Sequence, residues 1–223
     1  IALDSAEELG GLSFRKYCKE HKHRFASSSN LAAISTSQIT HILNAYQANY
    51  KDLLLRSETV KAMLDQAETI TITSSSGTDI SVDVKGMSAV INSGIYRNPG
   101  EGGNLPAGEV YIPPTLNGVN GTIVVDGSFR GKDGSCLISD PISLTIKDGY
   151  VINVEGGKEA IALQNTLSWA VKEAEHPEST LKIGELGIGI NDQAAMVGCT
   201  VVDEKLLGTC HFAIGSNAWF GGP

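Results

Sequence analysis

The chain has 223 residues, of which 41% are hydrophobic and 19% charged, enough for one sizeable domain or a domain with an appendage. Its formal net charge of -8 argues against nucleic acid as the main partner, because phosphate binding requires a basic face. No stretch reaches the roughly 18 apolar residues of a membrane span, and the start, IALDSAEELGG, has no signal-peptide pattern.

Residues 1–57 are predicted to form a helical N-terminal segment, followed by a second domain at 58–223. Within STSQITHILNAYQANYKDLLLRSETVKAMLDQAE, apolar residues recur at helical spacing, and Thr36 or Ser37 is a candidate cap. The intervening KEHKHRFASSSN is predicted to be a solvated loop. His21 and His23 are possible metal ligands there, but no acid or cysteine is grouped with them, which favours plain loop residues.

From residue 69 onward the pattern is that of β-structure. TITITSSSGTDISVDV and ISLTIKDGYVINVEGG each predict a hairpin, the second through a type I′ turn at Asp148-Gly149. KEAIALQNTLSWAVKEAEHP predicts a helix that Pro177 stops, and GELGIGIN, CTVVDEK and LLGTCHFAIG follow between loops. The predicted fold class is α+β, with a twisted, mostly antiparallel mixed sheet and a few helices.

The four cysteines are far apart and form no CxxC motif. We interpret them as reduced thiols of a cytoplasmic protein, with an extracellular disulfide as the alternative. The cysteines are Cys18, Cys136, Cys199 and Cys210.

Three metal-capable side chains stand beside glycine in or at the mouth of predicted strands: Glu109 in NLPAGEVYIPP, Glu185 in IGELGIGIN and His211 in LGTCHFAIG. Glycine leaves room for a ligand to approach, and a carboxylate in an apolar strand is costly to bury unless a cation neutralises it. Two carboxylates and an imidazole suit a divalent metal. Alternatively, Glu109 is a surface acid, Glu185 caps a turn and His211 is a hydrogen-bonded core residue.

The phrases NLPAGEVYIPP, GTIVVDGS, GELGIGIN and VDEKLLGTCHFAIGSNAWFGG occur in this order. Together they resemble the thermophilic metalloaminopeptidases of the M29 family over about residues 58–223. The resemblance implies that Glu109, Glu185 and His211 are ligands of a two-metal site, with Glu109 and Glu185 catalytic. Asp203 and Glu204 would orient His211 or anchor Lys205, or form a surface ion-pair cluster.

The function that this resemblance implies is release of N-terminal amino acids from peptides with a free N-terminus. Two zinc, cobalt or manganese ions would activate a shared water. A cytoplasmic homodimer is expected.

The sequence departs from that family at three places. The HxD pair that follows the histidine has no counterpart before Pro223, Ala218 and Trp219 stand where a tyrosine is expected, and residues 1–57 are short for the preceding domain. These departures keep two alternatives open: a ring-cleaving dihydroxypyridine dioxygenase that uses one iron(II) ion on the same scaffold, and a non-catalytic member.

Overall fold

The computed structural model describes residues 14–28, 35–174, 177–217 and 222. Expectations for residues 1–13 and for Ala218 and Trp219 lie outside these ranges. The helices are α1 (Phe14–Glu20), α2 (Ile39–Tyr46), α3 (Tyr50–Gln66), α4 (Lys158–Glu173) and α5 (Thr200–Asp203), with a short 3-10 helix at Pro177–Ser179.

The described strands form two larger antiparallel sheets and two small pairs. The five-stranded sheet has the order β11-β10-β7-β3-β2, the four-stranded sheet β13-β12-β6-β4, and the pairs are β1-β5, which is parallel, and β8-β9. The strands are β1 (Phe25–Ser27), β2 (Thr69–Thr73), β3 (Asp79–Asp83), β4 (Val90–Asn92), β5 (Gly102–Asn104), β6 (Glu109–Ile112), β7 (Val119–Val125), β8 (Ser128–Gly131), β9 (Gly134–Leu137), β10 (Ile142–Lys147), β11 (Tyr150–Glu155), β12 (Ile183–Gly189) and β13 (Cys210–Ile214).

Both predicted hairpins are present in the five-stranded sheet. Strand β2 pairs with β3, and β10 pairs with β11 across Asp148 and Gly149. The φ angles of these two residues are 50° and 80°, the positive values that a type I′ turn requires at both central positions.

One hydrophobic core joins the two larger sheets and two helices. Side chains of α3, of α4 and of both sheets belong to the same buried cluster, and Val82, Val110 and Val119 in it are fully buried. Because α3 packs against β4 and β6, it supports the sheet that carries Glu109. A second, smaller cluster packs α2 against the segment around α5.

The fold class is confirmed as α+β with mostly antiparallel sheets and few helices. None of the helices in the described ranges has the length and apolarity needed to cross a membrane. The division into 1–57 and 58–223 stays a prediction, and helix α3 runs through that junction.

Some predictions of local structure were right and others were wrong. The predicted cap at Thr36 or Ser37 is wrong, since Gln38 occupies the N-cap of α2 and its side chain makes no capping hydrogen bond. CTVVDEK, grouped with the β segments, contains the short helix α5. His21 and His23 are exposed, but the loop predicted around them is wrong in part, since Lys19 and Glu20 end α1 and Phe25–Ser27 form β1. All four cysteines are free thiols.

Candidate metal centre

The four-stranded sheet has two chemically different faces. Along β12, Leu186 and Ile188 belong to the hydrophobic core. Because side chains alternate along a strand, Glu185, Gly187 and Gly189 lie on the opposite face. The GELGIG sequence therefore presents one acid and two residues without side chains on a face that does not fill the core.

Strand register brings the other predicted residues to the same face. Glu109 of β6 lies opposite both Gly189 and Asn92, and His211 of β13 lies opposite Gly187. Residues directly opposite each other in neighbouring strands share a face. Each strand of this sheet thus supplies one polar residue: Asn92 from β4, Glu109 from β6, Glu185 from β12 and His211 from β13.

Gly187 is needed because the imidazole of His211 lies across it. A Cβ added at Gly187 would overlap three atoms of the ring, namely Nε2, Cε1 and Cδ2. No other residue type leaves the ring this space. The glycine thereby allows a side chain of β13 to reach over β12 toward Glu109.

His211 lies between Glu109 and Glu185, but Glu185 is not part of the group of described residues whose ligand atoms all lie within 4.8 Å of one another. His211 Nε2 lies 3.5 Å from Glu109 Oε2 and 3.4 Å from Glu185 Oε1. Both separations exceed the roughly 2.7–2.9 Å of a charge-assisted hydrogen bond. Among the described residues, neither ring nitrogen of His211 has a hydrogen-bond partner, although both atoms are buried. That His211 is a metal ligand rather than a core histidine paired with these carboxylates stays a prediction.

These separations fit ligands that share an ion. Nitrogen and oxygen atoms bound at about 2.0–2.2 Å to one metal lie roughly 3.0–3.5 Å from each other. Glu109 has only 6% of its side chain exposed, so it is not the surface acid of the alternative interpretation, and Glu185 lies within β12 rather than at a turn. Their role as ligands stays a prediction.

Glu204 was predicted to orient His211 or anchor Lys205, and it does contact Lys205, but it was not predicted to be a candidate ligand. Glu109, Glu204 and His211 each offer a ligand atom, and these atoms all lie within 4.8 Å of one another. Glu204 is the C-cap of the four-residue helix α5, so no periodic pattern in VVDEKLL distinguishes it. Asp203 instead accepts a hydrogen bond from the Val197 main-chain nitrogen at 2.7 Å, outside the cluster.

Lys205 joins two of these carboxylates. Its side chain is fully buried, and its Nζ contacts Glu109 Oε1 and lies 2.5 Å from Glu204 Oε1. The Lys205 carbonyl accepts a hydrogen bond of 2.8 Å from the nitrogen of Asn191, which fixes its backbone. A surface ion-pair cluster, one alternative for the DEK motif, is excluded because Lys205 has no exposed surface.

Electrostatics of the cluster follow from burial and these contacts. Burial alone would raise the pKa of Glu109, but the charges of Lys205 and His211 outweigh it and hold that pKa below its usual value. For Glu204, burial dominates and raises the pKa. Burial lowers the pKa of Lys205, yet its two carboxylate partners leave it above the ordinary value.

The amide of Asn92 orients Glu109. Its Nδ2 donates to Glu109 Oε1 at 3.1 Å and to the Asn104 carbonyl at 3.2 Å, while its Oδ1 accepts from the Tyr96 hydroxyl at 2.6 Å. Because Oδ1 is engaged by a hydroxyl donor, the amide nitrogen is the atom that faces the carboxylate. Glu109 Oε1 is thus held by Asn92 and Lys205, which leaves Oε2 on the His211 side.

The donor set suits a divalent cation. Glu109, Glu204 and His211 supply two carboxylates and an imidazole, and neither nitrogen of that ring has a hydrogen-bond partner among the described residues.

The family model for 2,5-dihydroxypyridine 5,6-dioxygenase (NicX) matches residues 18–221. The chain belongs to this family. A curated relative, the 2,5-dihydroxypyridine 5,6-dioxygenase of Pseudomonas putida, is 25% identical over 181 residues, covering 77% of the chain and 49% of the relative. The chain therefore spans about half the length of the curated relative it matches.

Solved structures agree on the fold. The chain is similar to the 2,5-dihydroxypyridine dioxygenase structure from P. putida KT2440, with a TM-score of 0.76, 20% identity, and coverage of 100% of this chain and 61% of that one. It is also similar to AmpT from Thermus thermophilus, with a TM-score of 0.51, 17% identity, and coverage of 74% and 41%.

The predicted aminopeptidase function is wrong. The family model and the curated relative both belong to the dioxygenase family, so hydrolase and peptidase are not the reaction class of the chain. The sequence segments that resemble the M29 family reflect the fold that this chain shares with AmpT, because they contain the glycines and acids of the polar sheet face. The dioxygenase alternative is the one that the comparisons favour.

Proposed function

We propose that the protein containing this chain is an iron(II)-dependent dioxygenase that opens the ring of a dihydroxypyridine. The substrate and reaction come from the family, whose relative carries that activity in its name. The observation that supports a role of this chain in the reaction is the buried imidazole of His211, which makes no hydrogen bond among the described residues and lies beside the carboxylates of Glu109 and Glu204.

The residues match the requirements of such a centre. Mixed imidazole and carboxylate ligands with open positions are the set that non-heme iron oxygenases use. Iron, when bound, supplies the one-electron chemistry that lets dioxygen react with a closed-shell aromatic ring. Both oxygen atoms enter the product, so the overall reaction consumes one dioxygen per ring and needs no external reductant.

The protein side chains would bind the ion and keep water away from it. Glu109, Glu204 and His211 would bind the ion, and the predicted ligand Glu185 lies 3.4 Å from His211 Nε2, outside this group. Lys205 excludes water from the far side of Glu109, since its buried ammonium occupies that space. Iron replaces the zinc, cobalt or manganese expected for a hydrolase.

Oxygen consumption tests the proposal. The purified protein is loaded anaerobically with iron(II), mixed with 2,5-dihydroxypyridine and oxygen, and followed with an oxygen electrode and by loss of the pyridine absorbance. We expect one dioxygen per substrate. Glu109→Gln and His211→Ala should each lose both iron and at least about 100-fold of the rate, because each removes a ligand.

Matched controls are available on helices away from the centre. Glu58 and His41 are exposed, so Glu58→Gln and His41→Ala should keep wild-type iron content and rate. Full iron occupancy in both site variants, or iron binding without oxygen uptake in the wild type, would contradict the proposal.

Two further expectations stay predictions. A homodimer is expected, and light scattering on the eluting protein would measure its mass. A cytoplasmic location agrees with four free thiols, and fractionation of cells would test it.

A further inference from the structure

The side chain of Asn191, just after strand β12, is fully buried. Its Nδ2 donates to the Ala107 carbonyl at 2.8 Å and to the Ala45 carbonyl at 3.0 Å, and its Oδ1 accepts from the Gln193 nitrogen at 2.9 Å. Because carbonyls only accept and a main-chain N–H only donates, these partners fix the orientation of the amide. Gly108 lies against this residue, since a Cβ added there would be 2.6 Å from the Asn191 Cβ.

The main chain of Asn191 holds a second segment. Its nitrogen donates to the Lys205 carbonyl at 2.8 Å, and its carbonyl accepts from the Leu207 nitrogen at 3.0 Å. Gly189 lets this segment approach β12 closely, because a Cβ at that position would overlap the Leu206 carbonyl. Residues 205–207 are thereby fixed against the end of β12.

Both sets of hydrogen bonds lie next to candidate ligands. Ala107 precedes Glu109 by two residues, and Lys205 directly follows Glu204. Asn191 thus joins the segment that carries Glu109 to the segment that carries Glu204, and the ligand atoms of these two acids lie within 4.8 Å of each other.

We propose that Asn191 is a positioning residue that holds Glu109 and Glu204 at ligand distance before an ion binds. The inference rests on the metal centre of the proposed function and adds the residue that joins its two acidic segments. Ligands that are already in place spare the ion the cost of ordering them, which lowers the Kd. The ammonium of Lys205 also contacts both carboxylates, but the Lys205 main chain is itself held by Asn191.

A double-mutant cycle on Asn191 and Glu204 tests the inference. The Kd for cobalt chloride is measured by isothermal titration for the wild type, Asn191→Ala, Glu204→Gln and the double variant. Asn191→Ala removes both donors of the amide, so the two acidic segments separate and the Kd should rise about 10–100-fold. Once Glu204 is no longer a ligand, this separation has no further effect. Adding Asn191→Ala to Glu204→Gln should therefore change the Kd less than about 3-fold.

The visible absorption spectrum of bound cobalt gives an independent readout, because its bands depend on the type and geometry of the ligands. At saturating cobalt, Asn191→Ala should give the spectrum of Glu204→Gln rather than that of the wild type, since both variants have lost the same ligand. An asparagine that only supports the fold would leave the wild-type spectrum unchanged.

Two controls separate positioning from loss of stability. Val82→Ala removes a fully buried side chain from β3, and Ser57→Ala removes a buried hydroxyl that donates to the Leu53 carbonyl at 2.7 Å within α3. Both variants should have a lower melting temperature but keep the wild-type Kd and cobalt spectrum.

The inference is overturned by a wild-type Kd or a wild-type cobalt spectrum for Asn191→Ala. It is also overturned if the effects of Asn191→Ala and Glu204→Gln on the Kd multiply in the double variant. If Asn191→Ala does not fold, the cycle is run with Asn191→Ser, which keeps one hydrogen-bond donor. Failure of both variants to fold would make Asn191 a residue of the fold as a whole and would overturn the inference as well.

The proposed function can fail separately. A wild type that binds iron and consumes oxygen with the pyridine, while the two substitutions multiply, removes the inference and leaves the function standing. Non-multiplying effects in a protein that binds cobalt but consumes no oxygen leave the inference standing and remove the function. A wild type that binds neither iron nor cobalt removes both.

Discussion

Replacing Gly187 with alanine tests whether the His211 ring lies across strand β12. The added Cβ would overlap three ring atoms. Non-bonded carbon atoms rest about 3.5–4.0 Å apart, so the ring must retreat by more than about 1 Å or the strand must bend. A metal ligand tolerates roughly 0.2 Å of displacement, so His211 would no longer bind the ion.

The expected magnitudes follow from that displacement. Forcing a methyl group into a filled space lowers the free energy of unfolding by about 1–3 kcal/mol. Disturbing the residues that merely orient a ligand weakens metal binding by about 10–100-fold, so loss of His211 itself should reach at least the upper end. A 100-fold increase in the Kd for cobalt corresponds to about 2.7 kcal/mol.

The assay is a double-mutant cycle on Gly187 and His211. Cobalt titration and urea unfolding are measured for the wild type, Gly187→Ala, His211→Ala and the double variant. When His211 is already alanine, the methyl group at position 187 meets no ring, so it should change the Kd less than about 3-fold and the unfolding free energy less than about 0.5 kcal/mol.

Gly131 of β8 supplies a control for glycine replacement in a strand. A Cβ there would meet Thr166 Oγ1 at 3.0 Å and Phe129 Cε2 at 3.3 Å, so the neighbours need to move by only a few tenths of an ångström. Gly131→Ala should bind cobalt as the wild type does. A wild-type Kd for Gly187→Ala would show that the His211 ring does not lie across β12 at Gly187. Simple additivity of the Gly187→Ala and His211→Ala effects in the double variant would show the same.

Three further substitutions probe the supports of the centre. Asn92→Leu removes the amide that donates to Glu109 at 3.1 Å, and cobalt titration should give a Kd about tenfold higher. Leu186→Ala should lower the unfolding free energy by about 3 kcal/mol in urea, with less than about 3-fold change in Kd, because Leu186 is fully buried on the core face. Burial raises the pKa of Asp65, but Lys61 and the Ala89 nitrogen outweigh it and hold the pKa below its ordinary value. A lowered folded-state pKa stabilises the fold above the unfolded-state pKa, and this gain is lost as the pH falls through the folded-state value. Urea unfolding should therefore show Asp65→Asn less stable by about 1 kcal/mol at neutral pH, with the difference vanishing below both pKa values; an undiminished difference in acid would contradict it.

Much of the fold could be predicted because local chemistry specifies it. Asp148 and Gly149 accept the positive φ angles of a tight turn, and the helical pattern before Pro177 produced α4 where expected. Glu109, Glu185 and His211 were identifiable because each polar residue stands near glycine in an otherwise apolar strand. Their convergence depends on strand order, which no local pattern contains.

The remaining features of the centre depend on contacts between distant segments. Glu204 and Lys205 lie just after a four-residue helix, and their position is set by the hydrogen bond from Asn191 to the Lys205 carbonyl. Neighbouring residues in VVDEKLL do not encode that contact. The reaction class was mispredicted because the matching phrases describe the sheet face, which AmpT and this chain have in common at the level of fold.

Along β12, Leu186 and Ile188 alternate with Gly187 and Gly189. The four-stranded sheet therefore separates two chemically different sides of the molecule. The hydrophobic core lies on one side of this sheet, and the polar residues of the candidate metal centre lie on the other. A sheet built in this way keeps its core residues separate from its polar residues, so one fold can carry different chemistries on the polar face.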